Sequence, residues 1–256
     1  MCRPGSPSKP IISKKHYITA FGSCFAQHIK EALKAEGYKV DPHDALITRF
    51  GAGSVNVYTL LQQFRWAYGL QQYDDELWIA DDCVVARHGE ASRKDAKKVF
   101  DQTQILILTL GLSEVWYNKT TGGVFWRAIP QHHFDPEKHG FRYLKHVETK
   151  ACLLDIVQVV RQCIGDIPII FTVSPIRLSA TFRPISAVVA NSASKAVLRS
   201  AINEVIDEVD KKVYYWPSYE MAEIHPDAFR KDGRHVKNAV IRQIMRCFLA
   251  EYCKET

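Results

Sequence analysis

Two pairs of residues in this chain have the types and spacing that nucleophilic chemistry needs. Ser23 and Cys24 stand side by side in FGSCFAQH, between a glycine and a helix-like run. Asp232 and His235 stand three apart in KDGRHVKNAV. A carboxylate at that spacing can orient one imidazole nitrogen while the other faces a cleft and takes a proton. The same pair also reads as an N-cap aspartate beside a surface histidine. Ser23 likewise reads as a helix cap, and Cys24 as a small buried apolar group. In the chemical reading a helix N-terminus supplies unpaired amides and positive potential, which can hold an oxyanion and lower a thiol pKa. Cys24 would then attack as a thiolate, or Ser23 as a hydroxyl with His235 as its base. Gly22 lets the backbone turn tightly and clears space for a substrate.

Apolar strand-like runs alternate with amphipathic helical stretches, and these elements must position the two pairs. HYITAF (residues 16–21) predicts a buried strand, followed by a helix with Phe25, Ile29 and Leu33 on one face and Gly37 as its stop. QILILTLG and IPIIFTVSP are continuous apolar runs, the pattern of strands buried on both faces. YKV and VYYWPSYE predict short strands, and VYTLLQQFRWAYG, TKACLLDIVQVVRQCIG, the 26 residues from AVVANSAS, and VKNAVIRQIMRCFLAEY predict helices. Strand–helix alternation implies a parallel sheet covered on both faces, and about five strands suggest a flavodoxin-like, doubly wound α/β order. Ligands in such sheets sit outside the carboxyl ends of the strands. Four features fall there: GSC, GLSE, SPIR and DGRH.

A long insertion at about 114–146 carries GGVFWRAIPQHHF and is expected to shape a cleft or lid. Trp116, Trp126 and Phe134 in it read as rings closing a core over the sheet, or as sugar-stacking platforms. His132, His133 and His139 lack a carboxylate or cysteine at regular metal spacing, so neither a metal nor another cofactor is expected. Arg177 in SPIR reads as a binding group for an anionic part of a substrate. Lys195 in NSASK reads as a solvated or helix-pairing residue.

The 256 residues, 46% hydrophobic and 24% charged, are ordinary for a globular protein with a substantial core. No apolar run approaches the ~18 residues of a membrane span. The N-terminal stretch has no apolar h-region, residues 1–14 read as a loosely attached arm, and a cytoplasmic location is expected. Seven cysteines without CxxC spacing argue for free thiols and against structural zinc. A net charge of +6 spread over many helices gives no basic face for nucleic acid.

GSCFA at Gly22–Ala26, with GSVNVYTLLQ, ILTLGLSEVW, WRAIP, FTVSPIRLSATF, NSASKAVLRSA, YWPSYEM and DGRHV in that order, resembles the GSCFA family, which is grouped with the SGNH (GDSL-like) hydrolases. The resemblance runs from about residue 17 to 248. It implies one SGNH-like three-layer α/β domain over residues 15–256 and a Ser–His–Asp type centre. DGRH matches the superfamily's D-x-x-H block, so Asp232 and His235 carry over. Laid directly on the superfamily's F-G-D-S, FGSC puts Cys24 in the nucleophile's place; a shift of one residue puts Ser23 there. Gly53 or Gly51 matches the glycine that lends an oxyanion amide. GLSE departs from G-x-N-D: Gly111 is kept, but Ser113 stands where the superfamily has Asn and Glu114 where it has Asp. Asn56 is a possible substitute donor. Losing one oxyanion donor typically costs ~10²–10³ in rate. The function implied is an esterase or O-acyltransferase acting on a small-molecule or carbohydrate ester. The alternative is a catalytically degenerate glycan-binding protein.

Overall fold

Ile105–Leu110 is a run of six residues, every one buried, and it forms the central strand β3. In this computed structural model, which describes residues 5–41, 56–78, 89–209 and 211–254, β3 lies between β1 (Tyr17–Gly22) and β6 (Ile169–Val173). The outer strands are β2 (Lys39–Val40) beside β1 and β7 (Val213–Trp216) beside β6. All four pairings are parallel, in the order β2-β1-β3-β6-β7. That is the flavodoxin-like order, and the chain reverses its direction of winding between β1 and β3. Gly22 pairs with Thr109 at the carboxyl edge of this switch point.

Successive side chains along a strand face opposite ways, so the sheet feeds two cores. Phe21, Leu106, Leu108 and Phe171 pack towards α2 (Val57–Ala67), α3 (Glu90–Gln102), α4 (His146–Cys163) and α5 (Ala187–Glu208). Ile18, Ala20, Ile107 and Ile170 pack towards α1 (Phe25–Ala35), the short α6 (Ser218–Glu223) and α7 (Asn238–Tyr252). The three-layer α/β expectation therefore holds. Among the described residues no helix is long and apolar enough to cross a membrane.

One expectation differs from the structure. The N-terminal stretch, expected as a loose arm, is docked where it is described: Ile12 is fully buried, and the amides of Ile11 and Ile12 donate to Tyr252 O at 2.9 and 2.8 Å. Its apolar pair fills the space beside the end of α7, which repays the ordering of the chain. The insertion at about 114–146 is built around a hairpin. Glu114–Asn118 (β4) and His139–Tyr143 (β5) form an antiparallel hairpin in which Trp116 stands opposite Phe141. Trp126 stacks on Trp78 at 4.1 Å in the core, whereas Phe134 is largely exposed.

Candidate active site

The turn after β1 is fixed by what it touches. Gly22 has φ +122°, and a Cβ there would lie 2.2 Å from Thr109 O. Both facts demand glycine. The Ser23 amide donates to Thr109 O at 2.9 Å, and Thr109 Oγ1 donates back to Ser23 O at 3.3 Å. The chain then enters α1 at once. Phe25 N–H donates to Ser23 Oγ at 3.2 Å, so the Ser23 hydroxyl caps the first turn. The amides of Ala26 and Gln27 bond to the carbonyls of Ser23 and Cys24. That leaves the Cys24 amide without a partner among the described residues. The Ser23 amide is committed to the sheet. Ser23 is nearly buried and Cys24 is exposed.

The second pair sits in the loop before α7. Asp232 Oδ2 accepts from His235 Nδ1 at 2.7 Å, and Oδ1 accepts from the amides of Arg234 and His235 at 2.9 and 3.0 Å. These bonds, His235's first, hold the Asp232 carboxyl far below the usual carboxylate range. With Nδ1 donating to a carboxylate, the neutral ring keeps Nε2 as its basic atom. Arg234 Nη1 lies 3.5 Å from Nε2, and Arg234 Nε donates to Arg177 O at 2.7 Å.

Arg177, expected to bind a substrate anion, has its charge already answered. Its guanidinium donates to both Glu223 carboxylate oxygens at 3.0 Å and to Gly233 O at 3.2 Å, and it lies 3.5 Å over the Phe229 ring. It clasps the DGRH loop to the end of β6.

The two pairs open into neighbouring cavities. One, of about 200 Å³, is lined by Ser23, Cys24, Gly111, Glu114 and a wall of aromatic and aliphatic side chains. The other, of about 820 Å³, is lined by Asp232, His235, Asn191, Ser192, Tyr219 and Glu223. Arg177, Leu178, Ser179 and Arg234 line both and form the partition. Among the described residues no hydrogen bond joins His235 to Ser23 or Cys24.

The remaining expected oxyanion groups are divided. Gly111 lines the smaller cavity. Ser113 is fully buried and turned into the core, its amide donating to Ser194 Oγ at 3.3 Å and its hydroxyl to Ser194 O at 3.5 Å. It lines neither cavity, because residue 113 begins the crossing into β4 and its backbone is held by Leu144 and Ser194. Asn56 caps α2, its Oδ1 accepting from Thr59 N at 3.1 Å, and lines neither cavity. Gly53 and Gly51 lie outside the described residues.

The family model for the GSCFA family matches residues 17–248. This chain belongs to the GSCFA family. No curated protein matches it. Among solved structures it is similar to the salicylyl-acyltransferase SsfX3 from a tetracycline biosynthetic pathway, at 12% identity and a TM-score of 0.42. That match covers 96% of this chain and 55% of the other, so the GSCFA chain spans about half of that protein's length.

Two buried charges in the GSCFA site have roles that the sequence reading did not assign. Glu114, 3% exposed, lines the smaller cavity; it accepts from Thr181 Oγ1 at 2.9 Å and lies 3.5 Å from Arg183. Lys195 is 1% exposed rather than solvated. Its ammonium donates to Gly111 O, Ser174 O and Ile176 O at 2.6, 2.8 and 3.1 Å, tying the loops after β3 and β6 together. Burial pushes its pKa down to about 7, with Glu223 pulling the other way. The signal was present: Lys195 shares an i, i+3, i+7 stripe with Leu198 and Ile202, both buried. Among the described residues no group of three or more His, Cys, Asp or Glu side chains is placed to hold a metal ion.

Proposed function

We propose that this GSCFA protein carries out acyl transfer, as an esterase or O-acyltransferase of the SGNH type. One observation carries the reading: an Asp232-oriented His235 stands across a four-residue partition from a turn that holds a hydroxyl, a thiol and an unengaged amide. Ser23 or Cys24 attacks the acyl carbonyl and His235 Nε2 accepts the proton. The carbonyl oxygen takes up negative charge against the Cys24 amide. The bond to the leaving oxygen breaks, and the imidazolium returns its proton to that oxygen. Water or a second alcohol then attacks the acyl-enzyme along the same path. For Nε2 to reach the nucleophile, Arg234 swings out of the partition as substrate enters. Catalytic hydrogen bonds are often open before substrate binds. The substrate we assign is an acylated carbohydrate, its hydroxyls meeting Asn191, Ser192 and Asp232 in the larger cavity.

A second reading is glycan binding without turnover. The separation of His235 from Ser23 and Cys24 and the inward turn of Ser113 favour it. The deciding experiment is hydrolysis of p-nitrophenyl acetate by wild type, Ser23→Ala, Cys24→Ala, His235→Ala and Asp232→Asn. Acyl transfer requires a loss on the order of 10³ or more with His235→Ala, and a comparable loss with only one of the two neighbouring variants. Asp232→Asn should lose roughly 10²–10⁴. Full turnover by His235→Ala sinks the mechanism. Saturable glycan binding with no ester turned over by any form favours the second reading.

A further inference from the structure

Beside Ser23 and Cys24 the smaller cavity ends in a wall of three rings. The centroids of Trp116 and Phe182 are 4.7 Å apart, those of Trp116 and Phe141 4.9 Å, and those of Phe141 and Phe182 5.3 Å, all steeply inclined. Rings this close touch one another. No cation fits between them, so they form a platform rather than an aromatic cage. Leu112, Ala128 and Leu178 extend the apolar surface.

Two of the three charged groups that line this space are paired, and the third, Arg234, lies on the partition and donates to Arg177 O at 2.7 Å. Glu114 is held by Thr181 and Arg183, and Arg177 by Glu223. A sugar pushed against the platform would bury hydroxyls with few partners, at a cost for each. An apolar group meets no such penalty. Phe182 points the same way: it is 65% exposed, yet it is packed on Trp116 and Phe141 at the cavity's edge. That leaves a phenyl face which an apolar occupant would remove from water. The space sets the size. A dry cavity of roughly 150 Å³ takes one benzene ring, so about 200 Å³ admits one ring or a chain of about six carbons.

We infer that the aromatic end of this cavity is an acyl pocket, selective for a medium-chain or single-ring apolar acyl group. The inference rests on the acyl-transfer reading. The acyl tail lies on Trp116, Phe141 and Phe182, the carbonyl reaches the GSC turn, and the alcohol part of the ester lies towards the larger cavity. Each methylene buried should raise kcat/KM about fourfold, so four additional methylenes give about 250-fold.

The test has a catalytic arm and a binding arm. Wild type and Phe182→Ala are compared on p-nitrophenyl hexanoate and acetate; Phe182 is exposed, so its truncation leaves the fold intact. Hexanamide is titrated calorimetrically into the double variant Ser23→Ala, Cys24→Ala, with and without Phe182→Ala. The acyl pocket predicts a hexanoate-to-acetate ratio of about 250, reduced about tenfold by Phe182→Ala, and saturable hexanamide binding weakened about tenfold by the same change. A ratio near one with no hexanamide binding, while acetate is turned over, overturns the pocket and leaves acyl transfer standing. Phe182-dependent hexanamide binding with no ester turned over keeps the pocket and removes acyl transfer. Phe182-dependent binding of methyl glucoside in place of hexanamide overturns the apolar assignment.

Discussion

Replacing Lys195 by methionine separates two opposing contributions. At about 1.4 kcal/mol for each tenfold change in proton affinity, the fall from the ordinary 10.5 to about 7 means that burying the charged form costs ~5 kcal/mol at neutral pH and below. Against this stand the three carbonyls of Gly111, Ser174 and Ile176. Left without a donor, they would cost roughly 1–3 kcal/mol each. The two sides nearly cancel near pH 7, so the stability of Lys195→Met at that pH decides nothing. The pH dependence does. Between pH 7 and 10.5 the folded chain has released the Lys195 proton while the unfolded chain keeps it, so raising the pH favours folding. From pH 6.5 to 8.5 the gain is ~2 kcal/mol. Methionine cannot titrate. Cys152, Cys163 and Cys253 are raised by burial and act in the opposite sense above about pH 9, which is why the window closes at 8.5. Histidines contribute equally to both proteins. Urea unfolding at pH 6.5, 7.5 and 8.5 should show wild type gaining ~2 kcal/mol relative to Lys195→Met. Parallel pH dependence, within about 0.5 kcal/mol, would refute the reasoning and mean that the three carbonyls hold the proton against desolvation.

Gly22→Ala combines a left-handed backbone with a Cβ 2.2 Å from Thr109 O, so a loss of about 3 kcal/mol or more is expected; a thermal-unfolding loss below about 1 kcal/mol would show that the turn relaxes freely. Lys30 and Asp41 form a buried ion pair, with Asp41 Oδ1 also accepting from Ala20 N at 2.9 Å. Lys30→Met leaves that carboxylate uncompensated and should cost roughly 3–5 kcal/mol by urea unfolding, whereas a change under about 1 kcal/mol would mean that Asp41 is neutral in the fold.

The sheet was legible because its inner strands are apolar on both faces, a pattern that Ile105–Leu110 and Ile169–Val173 carry without interruption. The contact between Asp232 and His235 followed from a spacing of three. The β4–β5 hairpin was not legible, because HGFRY carries a weak strand pattern and its register is set by Trp116 meeting Phe141 across the pair. The inward turn of Ser113 was hidden for a similar reason: its partner, Ser194, is 81 residues away. Alignment to a motif transfers a position in the chain but not the direction in which a side chain points. Arg177 illustrates the point, since its guanidinium, expected to face a substrate anion, is paired with a glutamate 46 residues on.

The same accounting bears on Ser23 and Cys24. Parallel pairing with β3 consumes the Ser23 amide, and the hydroxyl of Ser23 consumes that of Phe25. The first turn of α1 therefore offers its Cys24 amide outward whichever neighbour attacks. If Ser23 is the nucleophile, the oxyanion rests on the amide of the following residue; if Cys24 is, it rests on that residue's own. Electrostatic support for the reaction is thus indifferent to the choice, and the side chains must differ in something else. Ser23 Oγ already accepts a hydrogen bond, which lowers the basicity of its lone pairs, but its proton remains free to be donated. Cys24 has no side-chain cap bond and is the more exposed of the two. Cap and thiol on the one hand, hydroxyl nucleophile and helix entry on the other, are compatible with one backbone. Two adjacent residues can therefore both line the cavity in different roles.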